Sequence, residues 1–498
     1  MDRRALIGSA AAAALAAFPH RAPGQRYRIA TQDPADLLAI RGDGGRVTLK
    51  GTALRELGAS LRGRLLLAKD AGYDDARHVL NPTIDRHPAL IIQPTGVADV
   101  RSAVAFAGAH SLLVAVKCGG HSFSGQSTCE GGMMIDLSAF RGVRVDPAAR
   151  RAWVAGGTLL GAVDHEAMSH GLVAPLGTVS HTGVGGLTTG GGFGRVARRF
   201  GLALDNVMGV DVVTADGQFR HANRDENEDL YWGVRGGGGN FGVVTSFEFQ
   251  LHPMQRQVIG GGLVFPIGRA REVLNLYAEY SVTAPDDLYL DCWVAYPRGA
   301  DPVAGLDVCY SGPADQATRA LAPLRRLGTP LADTIKAFDY VALQRSTDIT
   351  DPRAEGSYTK NGFTSEVTPK IIATILDGLR GDPSRSSTVY FQHLGGAIGR
   401  VNPTATAFAY RYANHNMMVL TSWKAGDDQQ GPIQWSRDFW KTLEPFTRGF
   451  YVNEIGGDEG ARVVNANYLG NYPRLASIKR KYDPSNLFRL NANITPNG

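Results

Sequence analysis

In the first half of the chain, the spacing of the hydrophobic residues changes within a few residues from that of a helix to that of a strand. Val97, Val100, Val104 and Ala107 recur at the spacing of an amphipathic helix. The apolar run at residues 112–116 follows and is typical of a buried strand. It ends at a glycine-rich segment, so the pattern predicts a helix and then a strand that presents a loop.

Two hairpins and a helix are predicted next. Residues 143–145 and 153–155 flank the turn sequence DPAARR, and residues 210–213 and 218–221 flank Ala-Asp-Gly. A helical pattern between the hairpins ends at Gly171. This half of the chain is therefore mixed α and β, without the regular strand-helix alternation of a doubly wound sheet.

From about residue 253 the pattern changes. Glycine-rich loops end after residues 260–262, and strand-like apolar runs then appear between helical stretches. These runs are LYLDCWVAYP, GLDVCYSG, STVYFQHLGG and NMMVLTSW. The change predicts a separate sheet-and-helix domain, in which Cys292 and Cys309 lie on neighbouring strands as either a disulfide or two buried thiols.

Composition limits the function classes. The chain has 498 residues, 43% hydrophobic and 20% charged, a mixture typical of soluble globular proteins with more than one domain. The formal net charge is +5, and no run of lysine or arginine marks a nucleic-acid surface. The twelve histidines and four cysteines follow no metal-ligand spacing. We therefore expect neither nucleic-acid binding nor a metal site.

The N-terminus combines a basic pair with an apolar stretch. Arg3 and Arg4 precede the alanine-rich residues 5–18, an arrangement similar to a twin-arginine export signal. The stretch is shorter than the roughly 20 residues that span a membrane. We expect residues 1–25 to be an export signal, with a disordered basic tail as the alternative, and we expect no membrane span.

Three glycine clusters carry the main chemical signal: GGHSFSG at residues 119–125, GVGGLTTGGGFG at 183–194 and GGGGNFG at 236–242. Glycine lets the main chain approach a ligand closely, so such clusters can surround a diphosphate with backbone amides. A strand-like run follows the third cluster, where a Rossmann fingerprint requires a helix, and this excludes that fold. Ser124 stands where the GxSxG motif needs glycine, which argues against a serine hydrolase.

Taken together, ordered motifs along nearly the whole chain resemble the berberine-bridge-enzyme-like flavoprotein oxidases of the vanillyl-alcohol oxidase superfamily. They are YDDARHVLN with DRHPALIIQPTGVADV, VKCGGHSFSG with MMIDLS, GVGGLTTGGGFGRVARRFGLALDNV, VVTADG, DLYWGVRGGGGNFGVVTSFEF, YVN, and NYPRLASIKRKYDPSNLFRLNANITP. The resemblance implies an α+β fold. A two-lobed FAD-binding domain at residues 26–252 would receive an inserted sheet-and-helix substrate domain at 253–448, and residues 449–498 would return to the first domain.

The resemblance also implies a cofactor site. FAD would be attached covalently through His121. Further contacts would come from glycine clusters and flanking residues: Gly119, Gly120, Ser122, Gly125, Thr182, Gly183, Gly185, Gly186, Gly190, Asn206, Gly242, Val244, Asn491 and Asn493. Many relatives add a second bond through a cysteine four residues before the second glycine cluster. Val179 occupies that position here, so a single covalent link is expected.

Two positions bear on the reaction. Thr182 occupies the position at which relatives control the access of oxygen to the flavin. Oxygen is the expected electron acceptor, as in those relatives. Because threonine is unusual at this position, a dehydrogenase is the alternative. Substrate oxidation also needs a base. Tyr468 matches the tyrosine that relatives place over the flavin, whereas Gln392 stands where several relatives carry a carboxylate and cannot act as a base. Proton removal is therefore assigned to Tyr468, with His393 and Tyr410 as alternatives.

The resulting prediction is an exported FAD oxidase that acts on a small organic alcohol, a sugar or a secondary-metabolite hydroxyl. Hydride would pass to flavin N5 and then to molecular oxygen, giving hydrogen peroxide. Oxidation of a carbon–nitrogen bond, as in relatives that act on hydroxylated nicotine, is the nearest alternative. A flavin-dependent cyclase without net oxidation is a third, because the strand that carries Gln392 lacks the carboxylate.

Overall fold

The computed structural model describes residues 33–351 and 353–497. The predicted export signal at residues 1–25 lies outside the described residues. Among the residues described, no helix is both long enough and apolar enough to cross a membrane.

The first lobe is built around a four-stranded sheet. Its elements are β1 (Leu37–Ile40), β2 (Arg46–Leu49), α1 (Gly51–Ser60), β3 (Arg64–Leu66), α2 (Tyr73–Arg77), β4 (Leu90–Gln93), α3 (Val97–Ala109), β5 (Val114–Lys117) and β6 (Met133–Asp136). The strand order is β3-β4-β6-β5, with β6 parallel to both β4 and β5. The predicted helix and strand are confirmed by α3 and β5, and β5 ends at the loop that carries His121.

The second lobe contains a five-stranded antiparallel sheet of order β11-β10-β12-β8-β7. Its elements are β7 (Val143–Asp146), β8 (Arg151–Ala155), α4 (Leu160–Met168), β9 (Leu172–Val173), α5 (Val184–Gly190), α6 (Ala197–Phe200), β10 (Val207–Val213), β11 (Phe219–Asn223), α7 (Glu228–Val234) and β12 (Val243–Gln250). Both predicted hairpins are confirmed. The second glycine cluster, expected as a loop, is instead helical over α5, whereas β12 follows the third cluster as predicted.

Residues 252–443 carry an antiparallel sheet of eight strands with helices packed on it. The elements are β13 (His252–Pro253), β14 (Gln257–Pro266), α8 (Ala270–Ser281), β15 (Leu288–Tyr296), β16 (Val303–Tyr310), α9 (Ala317–Arg325), β17 (Ala332–Asp333), β18 (Lys336–Asp339), α10 (Tyr340–Arg345), β19 (Glu355–Thr364), α11 (Pro369–Gly378), β20 (Ser386–His393), β21 (His415–Lys424) and α12 (Gln430–Leu443). The order is β17-β14-β16-β15-β20-β21-β19, with β18 beside β14, while β13 pairs with β9. The four apolar runs of the sequence form β15, β16, β20 and β21.

Two details of this sheet refine the sequence predictions. Residues 260–262, expected as a loop, lie within β14. Gly261 has φ +120° and a Cβ there would lie 2.3 Å from the Thr334 carbonyl oxygen, so glycine permits this close crossing. Cys292 and Cys309 lie on neighbouring strands but face Leu306 and Tyr289, and both thiols are free. The mixture of sheets and helices makes the fold α+β, as predicted.

The last segment returns to the two lobes. It contains α13 (Ala461–Asn467) and α14 (Tyr472–Tyr482). Leu475 and Ile478 on α14 share a hydrophobic core with the second lobe, whereas Phe488 packs in the core of the first. The return segment therefore joins both lobes beside the third glycine cluster.

Candidate active site

A cavity of about 910 Å³ lies where both lobes, the eight-stranded sheet and the return segment meet. Its volume is at the upper end of the range for small-molecule sites, roughly 300–1,000 Å³. One side is formed mainly by glycine backbone and the opposite side mainly by polar side chains. We call the first side the glycine wall and the second side the sheet wall.

The glycine wall consists of Gly119, Gly183, Gly186, Gly238 and their neighbours in the three clusters. A Cβ on Gly119 would lie 2.3 Å from the Gly183 amide nitrogen, so the first two clusters pack backbone against backbone. A Cβ on Gly186 or Gly238 would meet no atom within 4 Å, and both residues line the cavity. The wall is therefore bare main chain, which fits a cofactor that is held by backbone amides.

Most of the predicted site residues line this cavity. They are His121, Gly119, Gly120, Ser122, Thr182, Gly183, Gly185, Gly186, Gly242, Val244, Asn491, Gln392 and Tyr468. Four others stand behind the wall or beside it: Gly125, Gly190, Asn206 and Asn493.

The contacts of three of these four, Gly125, Gly190 and Asn206, indicate supporting positions. Gly125 has φ +71° and a Cβ there would collide with Ile84, while a Cβ on Gly190 would collide with the Asn453 side chain. The Asn206 amide donates to the Phe200 and Leu202 carbonyl oxygens, each at 2.9 Å. Their direct contact with FAD stays a prediction.

His121 is paired with a second histidine. Its Nε2 lies 2.7 Å from Nδ1 of His181, and the Ile349 amide donates to Nε2 of His181 at 3.1 Å. This order assigns the His181 proton to Nδ1, which then donates to His121. Desolvation, reinforced by His181, lowers the pKa of His121 to about 4. The imidazole of His121 is therefore neutral at neutral pH, with Nε2 as the acceptor and its own proton on Nδ1, which lies 3.4 Å from the Thr182 hydroxyl oxygen.

Cysteine chemistry is weak at this site. Cys118 lines the cavity, but burial raises the pKa of its thiol to about 11, which keeps it protonated. Val179, at the position where relatives carry a second attachment cysteine, also lines the cavity. In the described part of the chain no group of three His, Cys, Asp or Glu side chains is arranged to bind a metal.

The sheet wall is formed by Gln392, Leu420 and Ser422, with Glu454 of the return segment seated on it. Gln392 on β20 lies directly opposite Asn416 on β21. The Asn416 amide donates to Gln392 Oε1 at 2.6 Å and to Glu454 Oε2 at 2.8 Å, and the Gln392 amide donates to Glu454 Oε1 at 3.1 Å. Desolvation raises the pKa of Glu454 to about 7.

The segment that carries Glu454 is clamped between the two walls. The Tyr451 amide donates to Oδ1 of Asn361 on β19 at 2.6 Å, and the Asn361 side chain donates to the Glu454 carbonyl oxygen at 2.8 Å. On the other side, the Asn453 amide donates to the Leu187 carbonyl oxygen on α5 at 2.9 Å. The position of Glu454 is thus set by both the sheet and the second glycine cluster.

The tyrosines of the cavity are poor bases. Burial raises the pKa of Tyr468 well above its usual value, and its hydroxyl points to the Ala492 carbonyl oxygen at 3.5 Å. Burial also raises the pKa of Tyr451, and Glu454 adds to that shift. Both hydroxyls are therefore suited to donate hydrogen bonds. His393 and Tyr410, the alternative bases, are buried and are not among the residues that line the cavity.

Sequence reasoning missed His181 and Glu454. His181 directly precedes Thr182, and Glu454 directly follows the YVN motif, so both were adjacent to residues already singled out. Nothing in the linear sequence indicated that Glu454 would face Gln392, 62 residues earlier. The β20 strand has Gln392 where several relatives carry a carboxylate, and the return segment places the carboxylate of Glu454 beside it.

The cavity also offers acceptors and donors for a cofactor. The side-chain oxygens of Asn491 and Ser127, which line the cavity, have no hydrogen-bond partner among the described residues. Together with the bare glycine wall, these atoms fit a large polar cofactor such as FAD.

Comparisons with known proteins agree with this assignment. The model of an FAD binding domain matches residues 88–223, and the model described as berberine and berberine like matches residues 450–495. An FAD-linked oxidoreductase of Dictyostelium discoideum is 32% identical over 412 residues, which cover 82% of this chain and 89% of that protein.

Solved structures share the fold over most of its length. 6-Hydroxy-D-nicotine oxidase of Arthrobacter nicotinovorans has a TM-score of 0.79 and 28% identity, covering 88% of this chain and 98% of that one. A variant of Phl p 4 described as a glucose oxidase has a TM-score of 0.75 and 25% identity, covering 86% and 96%. The resemblance is thereby confirmed: the chain belongs to the berberine bridge enzyme-like family of FAD-linked oxidoreductases.

Proposed function

We propose that this protein is an oxidase with one FAD attached covalently through His121, and that it oxidises a small organic alcohol at the expense of molecular oxygen. FAD, when bound, accepts the hydride from the substrate carbon, and oxygen takes up the two electrons to give hydrogen peroxide. The observation that carries the proposal is the neutral imidazole of His121 in the glycine wall, opposite a wall of polar side chains. A hydroxylated substrate would be oriented by that second wall.

The single attachment is supported by three features of the cavity. The pKa of His121, lowered to about 4, keeps the imidazole neutral, which is the form that can act as a nucleophile. The Cys118 thiol is protonated at neutral pH, since its pKa is raised to about 11. Val179 offers no second anchor.

An amine substrate is the alternative that a specific observation favours. The cavity is lined by the carboxyl groups of Asp348, Asp351, Glu355 and Glu454, and by no lysine or arginine among the described residues. Such a lining attracts a cation and disfavours an anion. The related hydroxynicotine oxidase is consistent with this alternative, whereas the Phl p 4 variant described as a glucose oxidase is consistent with an alcohol.

A peroxide assay under air tests the proposal. The purified, FAD-loaded protein is incubated with glucose, cellobiose, chitobiose, xylobiose and 6-hydroxynicotine, with and without catalase. Peroxide from a saccharide is the expected result, and peroxide from hydroxynicotine alone would transfer the assignment to carbon–nitrogen oxidation. A flavin that the substrate reduces but that air does not reoxidise would indicate a dehydrogenase. Conversion of a substrate with no reduction of the flavin would indicate a cyclase.

We also propose that the protein is exported through its twin-arginine-type signal, a route that carries proteins already folded around their cofactors. The support is the Arg3–Arg4 pair before an apolar stretch. Replacing both arginines with lysine should retain the protein in the cytoplasm, as measured by cell fractionation. Unchanged export of that variant would contradict the assignment.

A further inference from the structure

We infer that Glu454 is the base that removes the proton from the substrate hydroxyl or amine. The inference rests on the proposed function and gives the sheet wall its chemical role. Glu454 lines the cavity, keeps part of its surface exposed there, and is held by two neutral amide donors.

The partners of Glu454 distinguish it from the structural carboxylates of this chain. Asp205 is held by Arg411 at 2.7 Å and Asp483 by Lys479 at 2.7 Å, so each is neutralised by a cation. Glu454 forms no ion pair within the described residues and receives hydrogen bonds from Gln392 and Asn416 only through their neutral side chains. A carboxylate without a counter-ion remains able to bind a proton.

The environment of Glu454 places its titration close to neutrality. Desolvation raises its pKa to about 7, while the two amide donors oppose that shift. A general base is most effective when its pKa lies near the working pH. The titratable neighbour on the same segment is Tyr451, which stays protonated because its pKa is raised. On β19, Lys360 is occupied by Asp458 and Glu459.

The other acidic groups of the cavity are engaged elsewhere. Asp348 accepts from the Ser180 amide at 2.8 Å and from the Ser180 hydroxyl at 2.6 Å. Glu355 pairs with Arg298 at 3.2 Å and accepts from the Ser422 hydroxyl. The Asp351 carboxylate accepts from the Arg353 amide at 3.1 Å. All three lie within residues 348–355, and Glu355 contacts Ser422 near the end of β21, whereas Glu454 lies against Gln392.

The proton step balances with the oxidation already assigned. The substrate O–H or N–H bond breaks, its proton passes to a carboxylate oxygen of Glu454, and its electron pair forms the new C=O or C=N bond. The C–H bond of the same carbon breaks, and its hydrogen leaves with both bonding electrons as the hydride of the proposed oxidation. Glu454 then returns its proton to water. Since the carboxylate is the active form, the rate rises as pH rises through about 7 and is constant above it.

A set of variants in the FAD-loaded protein tests this role. E454Q removes the base but keeps the shape, E454D keeps a carboxylate, and E454Q/Q392E exchanges the carboxylate and the amide between positions 454 and 392 of the sheet wall. E459Q is the matched control, because Glu459 lies in the same segment but pairs with Lys360 outside the cavity lining. FAD content and melting temperature show that each variant is folded.

With the panel compound that the wild type oxidises fastest, E454Q should lose about 10²–10⁴-fold in kcat at pH 8, the usual contribution of a general base. E454Q should also lose the rise of kcat through pH 7, the exchange variant should recover at least tenfold, and E459Q should match the wild type. A folded E454Q with the wild-type kcat and pH profile would overturn the inference.

A second measurement needs no substrate. The flavin absorbance of the wild type should titrate with a midpoint near pH 7 as Glu454 ionises in the same cavity, and E454Q but not E459Q should abolish that step. The same titration in E454Q would contradict the assignment. If no panel compound is oxidised, the proposed function fails while this titration still decides the ionisation of Glu454.

Discussion

The two walls of the cavity are built by opposite means. The glycine wall removes side chains so that the main chain of three clusters can approach a ligand, and its first two clusters meet glycine backbone to glycine backbone. The sheet wall instead gathers polar side chains from β20, β21 and the return segment around Glu454. Backbone geometry determines the first wall, and side-chain chemistry determines the second.

This difference predicts how each wall responds to mutation. Changes behind the glycine wall, or where its clusters pack backbone against backbone, should lower folding stability and FAD content together, since those main-chain positions are shared with the fold. Changes in the sheet wall should leave the fold intact and alter the rate and its pH dependence.

The glycine wall depends on a buried ion pair behind it. Lys479 and Asp483 are both fully buried, and Lys479 also donates to the carbonyl oxygen of Asn240 in the third glycine cluster at 2.7 Å. Lys479→Met should lower the free energy of unfolding by about 3–5 kcal/mol, because the buried Asp483 carboxylate is left without a counter-ion. Chemical denaturation measures the loss.

Lys481 provides the matched control for Lys479. It lies on the same helix and forms an ion pair of the same length, 2.7 Å, with Asp229, but its side chain is 58% exposed. Lys481→Met should change stability by less than about 1 kcal/mol. Equal losses in the two variants would show that burial of the pair is not what supports this wall.

The contact between the first two clusters is tested by Gly183→Ala. The added methyl group would lie 2.3 Å from the Gly119 amide nitrogen, so the wall must separate, at a cost of about 1–3 kcal/mol. Both the melting temperature and the FAD content should fall. Gly186→Ala points into open cavity space and should reduce FAD content while the melting temperature of the apoprotein stays that of the wild type.

The sheet wall is tested by Asn416→Leu. Loss of its amide removes one of the two donors that lower the pKa of Glu454, so that pKa should rise further above its usual value. If the lost hydrogen bond raises that pKa by about one unit, the rate at pH 7 should fall about fivefold and recover at higher pH. Asn414→Ala, which removes a donor to the Ser365 carbonyl oxygen nearby, should leave the pH profile unchanged.

Much of the glycine wall could be predicted from the sequence, because close main-chain contact permits few residues other than glycine. His121 stood out for the same reason, as a side chain at the centre of such a cluster. The helical form of α5 was not foreseen, since a run of glycine and threonine has low helix propensity and tertiary packing overrides it here.

The sheet wall could be predicted only in part. Gln392 was identified, but its meaning depends on the register that places Asn416 opposite it and on a return segment that carries Glu454. Neither the register nor that long-range contact leaves a periodic pattern in the sequence. Gly125 and Gly190 show that a glycine in these clusters need not face the ligand. Both pack closely, against Ile84 and Asn453 respectively, and do not line the cavity.

The mass of the proteolytic peptide that contains His121, taken from FAD-loaded wild-type protein, tests the central claim most directly. We expect this peptide to be heavier by the mass of one FAD less two hydrogen atoms, and we expect the added mass to be retained in Cys118→Ala and absent in His121→Ala. A His121 peptide of bare amino-acid mass from fully loaded protein, or attachment that persists elsewhere in His121→Ala, would contradict it.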